Sequence, residues 1–191
     1  MQGIPLNERK RLGALLDDRP QTEVMAMIPQ FSQAETDNFV APPAQIPEAL
    51  GVLMFNMERG VNLLEIQEFL RDCPDIQPFD VILANELDDG CARSGNKNTA
   101  RELAQAFGLN YAWGLEFIEL VNDENPKGFH GNAVFSRWPI RRAGVIRLPE
   151  QYNWYFDRQK RIGGRLAVYA ELDVGGQPVG AVSIHLENRT H

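Results

Sequence analysis

Apolar and polar positions along the chain predict a mixed α/β domain from residue 50 onwards. Residues 52–55 and 79–84 are short, mainly apolar runs, which predict buried strands. Between them, apolar residues recur at helical spacing over 63–70 and predict a helix that ends before Pro74. A helix of this length between two strands predicts a crossover that joins parallel neighbours in one sheet.

A second helix and two further strands follow this unit. Apolar residues over 100–107 predict a helix that Ser94 or Asn96 caps at its N-terminus. Gly108 is well placed to end that helix, because glycine adopts the left-handed conformation without steric cost. Strands are predicted near 111–117 and 132–136.

The last part of the chain has the pattern of a β-hairpin. Residues 166–174 alternate between apolar and other positions, the pair at 175–176 is Gly-Gly, and a return strand is predicted over 179–186. On the return strand, Val182, Ile184 and Leu186 share one face. This alternation places His185 on the opposite, less apolar face.

Residues 1–49 differ from the rest and are predicted to form an N-terminal extension. A helix is predicted around 8–16, and a weaker helix or strand near 23–28. The segment 38–47 contains three prolines, cannot sustain a helix, and is interpreted as a linker. The remaining residues, 50–191, then form the main domain.

Composition and charge limit the function classes. The chain has 191 residues, with 19 Lys+Arg against 26 Asp+Glu, giving a formal charge of −7. These globular values exclude a disordered chain and argue against a protein that coats nucleic acid through bulk charge. Cys73 and Cys91 form neither a disulfide framework nor a CxxC zinc motif. Without a signal-peptide pattern or an apolar run of 18 residues, we expect a cytoplasmic protein with no membrane span.

Two polar residues follow the first two predicted strands. Asn56 follows residues 52–55, and Glu86 comes shortly after residues 79–84. Parallel pairing would bring both to the same edge of the sheet, where functional groups often lie. A carboxylate there can hold Mg²⁺, and an amide can donate to a phosphate without adding negative charge. A polar residue after a strand is also a common start of a loop, so this pattern leaves both interpretations open.

Four segments, in order, resemble the endonuclease/exonuclease/phosphatase superfamily. They are Leu-Met-Phe-Asn-Met at 53–57, Phe-Asp-Val-Ile-Leu-Ala-Asn-Glu at 79–86, Gly-Asn-Ala-Val-Phe-Ser-Arg-Trp-Pro-Ile at 131–140 and Val-Ser-Ile-His-Leu-Glu-Asn-Arg at 182–189. The resemblance covers about residues 50–191. It implies a four-layer α/β sandwich of the deoxyribonuclease-I-like type and a metal-dependent phosphoester hydrolase, similar to nucleases and phosphodiesterases.

The resemblance also implies roles for four residues. Asn56 resembles the active-site Asn that hydrogen-bonds the scissile phosphate, and Glu86 resembles the metal-binding Glu for Mg²⁺, with Mn²⁺ as an alternative. His185 resembles the His that helps to bind the phosphate and the leaving-group side. Arg165 resembles, more loosely, an Arg that contacts substrate phosphate. The structural alternatives are a turn former for Asn56, a solvated carboxylate for Glu86, a packing residue for His185 and an ion pair for Arg165.

Two motifs of the family are missing from this chain. They are a Gly-Asp-Phe-Asn-like and a Ser-Asp-His-like motif, and His191, with no Asp before it, does not replace the second. We therefore expect a fold that is incomplete at its C-terminus and a chain that is inactive alone. The alternative is a non-catalytic, truncated or degenerate domain that acts as a binding module. The substrate, whether nucleic acid, phospholipid head group or small phosphodiester, and the oligomeric state stay open.

Other polar and aromatic residues near these segments receive structural interpretations. Asn132 is interpreted as architectural, Asp88 as part of a solvated turn rather than a metal ligand, and His130 as a loop residue. The aromatic residues within 152–156 are predicted to pack as loop hydrophobes rather than to stack on a base. The basic cluster at 158–161 is interpreted as an ordinary surface loop, with an anionic substrate as the alternative.

Overall fold

A computed structural model describes residues 1–188 of the chain. The helices are α1 (Leu6–Ala14), α2 (Gln21–Ala26), α3 (Leu63–Asp72) and α4 (Thr99–Phe107). The strands are β1 (Ala34–Asp37), β2 (Val52–Arg59), β3 (Val81–Asp89), β4 (Asn110–Glu119), β5 (Phe129–Ser136), β6 (Ile140–Arg147), β7 (Arg161–Gly163), β8 (Leu166–Val174) and β9 (Gln177–Ile184). The helices and strands predicted from residue 50 onwards are thus confirmed, with shifted boundaries.

The first sheet has the strand order β1-β4-β5-β3-β2, and the short strand β7 also pairs with β4. β2 and β3 are parallel, with α3 as their crossover, which confirms the predicted unit. The other pairs in this sheet are antiparallel. The carboxyl ends of β2 and β3 therefore lie side by side.

The second sheet contains β6, β8 and β9 in that order. β8 and β9 form the predicted hairpin around the turn at Gly175 and Gly176, both with positive φ. Within residues 1–188, β9 pairs with β8 alone, so its other edge is free. His185 follows β9 directly and shares the inward-facing side of that strand with Ser183, whose hydroxyl donates to the Ala84 carbonyl at 3.0 Å.

The two sheets pack face to face, because each has one apolar face. β8 lies over β4 and β5, while β9 lies over β3 and β5. α3 and α4 cover the opposite face of the first sheet. The layer between the sheets consists of Val81, Ala112, Val134, Trp138, Ile140, Leu166, Val168, Ala170, Leu172 and Val174, all buried.

The α4 helix begins later than the sequence patterns suggest. Asn98 caps it, because its side chain accepts the backbone N–H of Arg101 at 2.9 Å. Ser94 instead lies in a short 3-10 turn before the helix, where its hydroxyl contacts the carboxylate of Asp88. Gly108 ends the helix in the left-handed conformation, as predicted.

The N-terminal segment packs against the rest of the chain. Leu12, Val24 and Phe31 belong to the same buried cluster as the outer face of the first sheet. β1 adds an edge strand beside β4. Residues 38–50 form neither helix nor strand, in keeping with a linker. The expected domain boundary at residue 49 stays a prediction, although both sides of it share one core.

Two apolar surfaces stay open. On the outer face of the second sheet, Ile146, Val182 and Ile184 are 54%, 42% and 40% exposed. On the inward face of β2, Val52 and Met54 are 57% and 71% exposed, since β9 does not reach over this strand. Within residues 1–188, the sandwich thus has one helical layer and two sheets. No helix in this part of the chain is long and apolar enough to cross a membrane.

Candidate active site

A β-bulge in β3 determines where Glu86 points. Asn85 and Glu86 together lie opposite the single residue Asn132 of β5. Strict alternation would send Glu86 to the face of Ala84, into the core beneath the helices. The extra residue turns Glu86 towards the second sheet, and Leu87 returns to the core.

Strained backbone accumulates at the same end of the sheet. Glu58, Arg59 and Glu86 have φ of 46°, 67° and 59°, and they are three of the four non-glycine residues with positive φ within residues 1–188. Such conformations persist where the surrounding structure enforces them, and they cluster at functional sites. Asn132 Oδ1 accepts the N–H of Glu86 at 3.1 Å, and Asn56 Oδ1 accepts that of Glu58 at 2.9 Å.

Glu116 connects His185 to Arg165. It lies fully buried in β4, with Oε2 at 3.4 Å from His185 Nδ1 and Oε1 at 3.3 Å from Arg165 Nη1. Arg165 Nη1 also lies 2.9 Å from His185 Nδ1. The other ring nitrogen, Nε2, then faces Glu86 Oε1 at 3.8 Å. The structure therefore brings together three of the four predicted site residues.

The charge of Glu116 is maintained by its neighbours. Burial alone would raise the pKa of this carboxyl group, but its hydrogen bond with His185 and its electrostatic interactions with His130 and Arg165 outweigh burial and lower it. Arg165 is held a second time, by an ion pair between its Nε and Glu187 Oε2 at 3.1 Å. A fixed charge of this kind orients the imidazole that it contacts.

Behind Glu116 lies a second buried pair, His130 and Asp88. His130 Nδ1 donates to Asp88 Oδ1 at 2.8 Å, and its Nε2 is 3.8 Å from Glu116 Oε2. Arg93 donates to both oxygens of Asp88 at 2.7 and 2.8 Å. Burial would raise the pKa of Asp88, but the hydrogen bonds from Arg93 and His130 outweigh it and lower the pKa to about 2. The interpretations of His130 as a loop residue and of Asp88 as a solvated carboxylate are wrong.

These groups form one row in which carboxylates and imidazoles alternate. Each step is 2.8 to 3.8 Å, from the buried interior to the edge of the sandwich. Since each imidazole lies between two carboxylates, its orientation is restricted from both sides. The row consists of Asp88, His130, Glu116, His185 and Glu86.

Glu86 opens onto a cavity of about 270 Å³ that is rich in arginine. Trp154, one of the predicted loop hydrophobes, lies buried in its wall with the guanidinium groups of Arg161 and Arg165 5.1 and 5.4 Å from its ring. The cavity is suited to an anion beside the carboxylate of Glu86. Its lining residues are Arg59, Glu86, His130, Trp154, Asp157, Arg158, Gln159, Arg161 and Arg165.

Asn56 lies on the neighbouring strand. It pairs with Asn85 in the parallel β2–β3 ladder, and its side chain is exposed. Its hydrogen bond to the backbone of Glu58 stabilises the strained turn at the end of β2. The turn-former interpretation of Asn56 thus describes the contact that the structure contains, and its phosphate role stays a prediction.

Sequence reasoning missed two residues that shape the site. Glu116 is the first, and a signal was available, since it is a carboxylate within the otherwise mainly apolar residues 111–118. Asn132 is the second, because its architectural interpretation did not include the hydrogen bond that holds Glu86. That hydrogen bond depends on the β-bulge, and no local sequence pattern predicts the bulge.

The described residues fit a metal site completed by water and substrate better than a site formed by protein ligands alone. Within residues 1–188, no three His, Cys, Asp or Glu side chains are grouped to hold a metal ion. Mg²⁺ typically uses one or two protein carboxylates and takes further ligands from water and substrate phosphate. Glu86, turned into an arginine-rich cavity, can supply one such ligand.

Comparisons with known proteins identify the fold. No family model and no curated protein matches the sequence. The endonuclease/exonuclease/phosphatase from Beutenbergia cavernae DSM 12333 matches in structure with a TM-score of 0.52 and 21% identity, over 71% of this chain and 37% of that one. An endonuclease/exonuclease/phosphatase family protein from Leptotrichia buccalis C-1013-b matches with a TM-score of 0.50 and 18% identity, over 73% and 55%.

The chain therefore has the α/β sandwich fold of the endonuclease/exonuclease/phosphatase superfamily. The resemblance stated from the sequence is confirmed at the level of the fold. The match spans little more than a third of one neighbour and about half of the other.

Proposed function

We propose that this chain is part of a metal-dependent phosphoester hydrolase, of the nuclease or phosphodiesterase kind. The observation that carries the proposal is the bulge that turns Glu86 out of the core, towards His185 Nε2 at 3.8 Å. A left-handed glutamate in a strand costs stability, and a metal-binding role gives a reason for it. The superfamily fold of the two structural neighbours supports the same kind of activity.

In this proposal each site residue has a distinct role. Glu86 holds Mg²⁺ or Mn²⁺, which supplies positive charge to the scissile phosphate when bound. His185, oriented by Glu116, presents Nε2 to the phosphate on the leaving-group side. Arg165 adds a guanidinium that Glu116 and Glu187 keep in place, and Asn56 donates to the phosphate from β2.

We further propose that additional strands pair with the second sheet beside β9. The free edge of β9 and the uncovered Val52 and Met54 together form a site where added strands would extend the sheet and bury β2. A general base for the attacking water would come from such added segments, since the roles proposed above leave that position unassigned. We therefore expect the 191-residue chain to bind metal and phosphate without turnover. We also propose a cytoplasmic location for it.

A second candidate function is a binding module without catalysis. The excess of arginine in the cavity favours it, because these groups can hold an anion without any general base. Nucleic acid, a phospholipid head group and a small phosphodiester are the substrates or ligands consistent with this chemistry.

Metal binding and hydrolysis together test the proposal. Mn²⁺ binding is measured by calorimetry, and bis-p-nitrophenyl phosphate hydrolysis with and without Mg²⁺, for the chain and for Glu86→Ala. Glu68→Ala, at an exposed position of α3, is the matched control. We expect Glu86→Ala to abolish Mn²⁺ binding and the control to keep it. Metal binding or metal-dependent turnover that Glu86→Ala leaves unchanged would contradict the site assignment.

A further inference from the structure

The arginines of the cavity differ in how their charge is neutralised. Arg161 Nε lies 2.9 Å from Glu119 Oε1, and both side chains are buried. Arg165 contacts Glu116 and Glu187. These two guanidinium groups already have carboxylate partners, and their charge is balanced within the fold.

Arg59 and Arg158 line the same cavity without such partners. Among residues 1–188, neither has a carboxylate within ion-pair distance, and the buried Nε of Arg59 has no hydrogen-bond partner. A buried donor without an acceptor costs free energy comparable to a lost hydrogen bond. Arg59 also has a left-handed backbone, which places it in the strained turn after Asn56. The Nε of Arg59 is therefore a donor that an anion bound in the cavity could satisfy.

We propose that Arg59 and Arg158 bind a second phosphate group of the substrate, one that is not cleaved. The inference rests on the proposed function, in which Glu86 holds the metal at the scissile phosphate and His185 contacts that phosphate. A guanidinium donates two parallel hydrogen bonds to phosphate oxygens, which makes arginine the preferred residue for this group. The class of substrate is then a phosphoester that carries another phosphate close to the scissile one.

The side chains that line the cavity favour a phosphate over a nucleobase. Four of the nine lining residues are arginines, and a guanidinium can donate to phosphate oxygens. Its aromatic wall residue, Trp154, is buried and packed against Phe117, with ring centroids 5.4 Å apart, so its faces are not free to stack on a base. The charged groups rather than the aromatic ones therefore determine what binds.

Calorimetric titration of the full chain with pyrophosphate tests the inference. Pyrophosphate, orthophosphate and sulfate are compared in EDTA and then with Mn²⁺. The variants are Arg158→Gln, Arg59→Gln and Arg59→Lys, and Arg19→Gln, an exposed arginine far from the cavity in sequence, is the control for the lost charge. Thermal melting checks that each variant folds. If Arg59→Gln does not fold, the exposed Arg158 and the conservative lysine variant still carry the test.

We expect pyrophosphate to bind about tenfold more tightly than orthophosphate or sulfate, and each glutamine variant to weaken it about tenfold. Arg59→Lys should lie between wild type and Arg59→Gln, because lysine keeps the charge but not the fork of donors. The control should match the wild type. Equal binding of the three anions, or variants that match Arg19→Gln, would overturn the inference.

A Glu86→Gln variant separates this inference from the proposed function. If it loses Mn²⁺ binding while pyrophosphate binding still depends on Arg59 and Arg158, the proposed function and the phosphate site are both supported. If the wild type shows no Mn²⁺ binding but keeps the arginine dependence, the proposed function fails and the phosphate site stands. If Mn²⁺ binds through Glu86 without arginine dependence, the inference alone fails.

Discussion

The strands β3, β4 and β5 each have two halves that differ in what they place between the sheets. The first half of β3, up to Ala84, keeps a regular register with β5, and its inter-sheet layer is apolar, with Val134 and Val168 fully buried. Beyond the bulge, the same strands present Asp88 and Glu116 to the same side. One extra residue thus separates an apolar core from a charged network.

The two halves are stabilised by different physical effects. Apolar residues gain free energy in proportion to the area that they remove from water. Buried charges lose solvation, and their stability depends on every partner being present. In the apolar half, the loss in free energy of unfolding should therefore scale with the size of the apolar group removed. In the charged half, removal of a single charged group should cause a large loss.

The largest expected effect is the loss of Glu116. Glu116→Gln removes the charge that faces both His185 and Arg165, and we expect the free energy of unfolding to fall by about 3 kcal/mol at pH 7. Urea denaturation measures it. Glu171→Gln, which breaks the surface pair with Arg142, should cost less than about 1 kcal/mol. Equal costs for the two variants would erase the distinction between the halves.

The apolar half should respond more moderately. Val134→Ala removes two methyl groups from the fully buried layer and should lower the free energy of unfolding by about 2 kcal/mol. The same substitution at Val121, which is more than half exposed, should change it little. Urea midpoints of both variants provide the measurement, and a cost at Val134 above that at Glu116 would reverse the predicted order.

Relief of backbone strain should raise the free energy of unfolding rather than lower it. Glu86→Gly places glycine at φ of 59° and should raise the free energy of unfolding by about 1 kcal/mol, while Mn²⁺ binding is lost. Glu68→Gly, the same substitution inside α3, should lower it by about 1 kcal/mol. Thermal melts of the two variants compare them, and a destabilised Glu86→Gly would show that the bulge is not strained.

The smallest expected effect is the pH dependence of the charged half. Because the folded state lowers the pKa of Glu116, its contribution is complete above the unfolded pKa of about 4.5 and is lost as the pH falls through the folded value. Between pH 5 and 3, the wild type should therefore lose more stability than Glu116→Gln. Parallel slopes in urea titrations across this range would contradict the direction of the shift.

The regular half of the molecule was predictable because its signals are local. The periodicity of α3 and α4, the glycine turn of the hairpin and the parallel crossover each depend on residues close in sequence. β1 and β6 were missed for the same reason. Ala34–Asp37 has no apolar alternation and becomes a strand by pairing with β4, where the Tyr111 hydroxyl donates to Glu35. In Ile140–Arg147, two exposed arginines follow the buried first residue and obscure the apolar pattern.

The site was predictable only in part. Glu86, His185 and Arg165 were named from the resemblance, and the structure places them near one another around Glu116. Glu116 itself was not named, because its neighbours are His130 of β5, Arg165 just before β8 and His185 just after β9, which are distant from it in sequence. The bulge at Glu86 arises from the pairing of two strands, and strand pairing is a property of the folded chain rather than of either segment. His191 lies outside the described residues.

The free edge of β9 also has a consequence for the behaviour of the chain in solution. Within residues 1–188, its outward backbone groups are open to pairing, although the Asn85 side chain donates to the carbonyl of Ile184 at 3.3 Å. An unprotected edge with exposed Val182 and Ile184 is a template for adding a strand from another molecule. Aggregation should therefore increase with concentration and begin at this edge. The edge beside which we propose further strands is then also the part that limits how long the isolated chain stays dispersed.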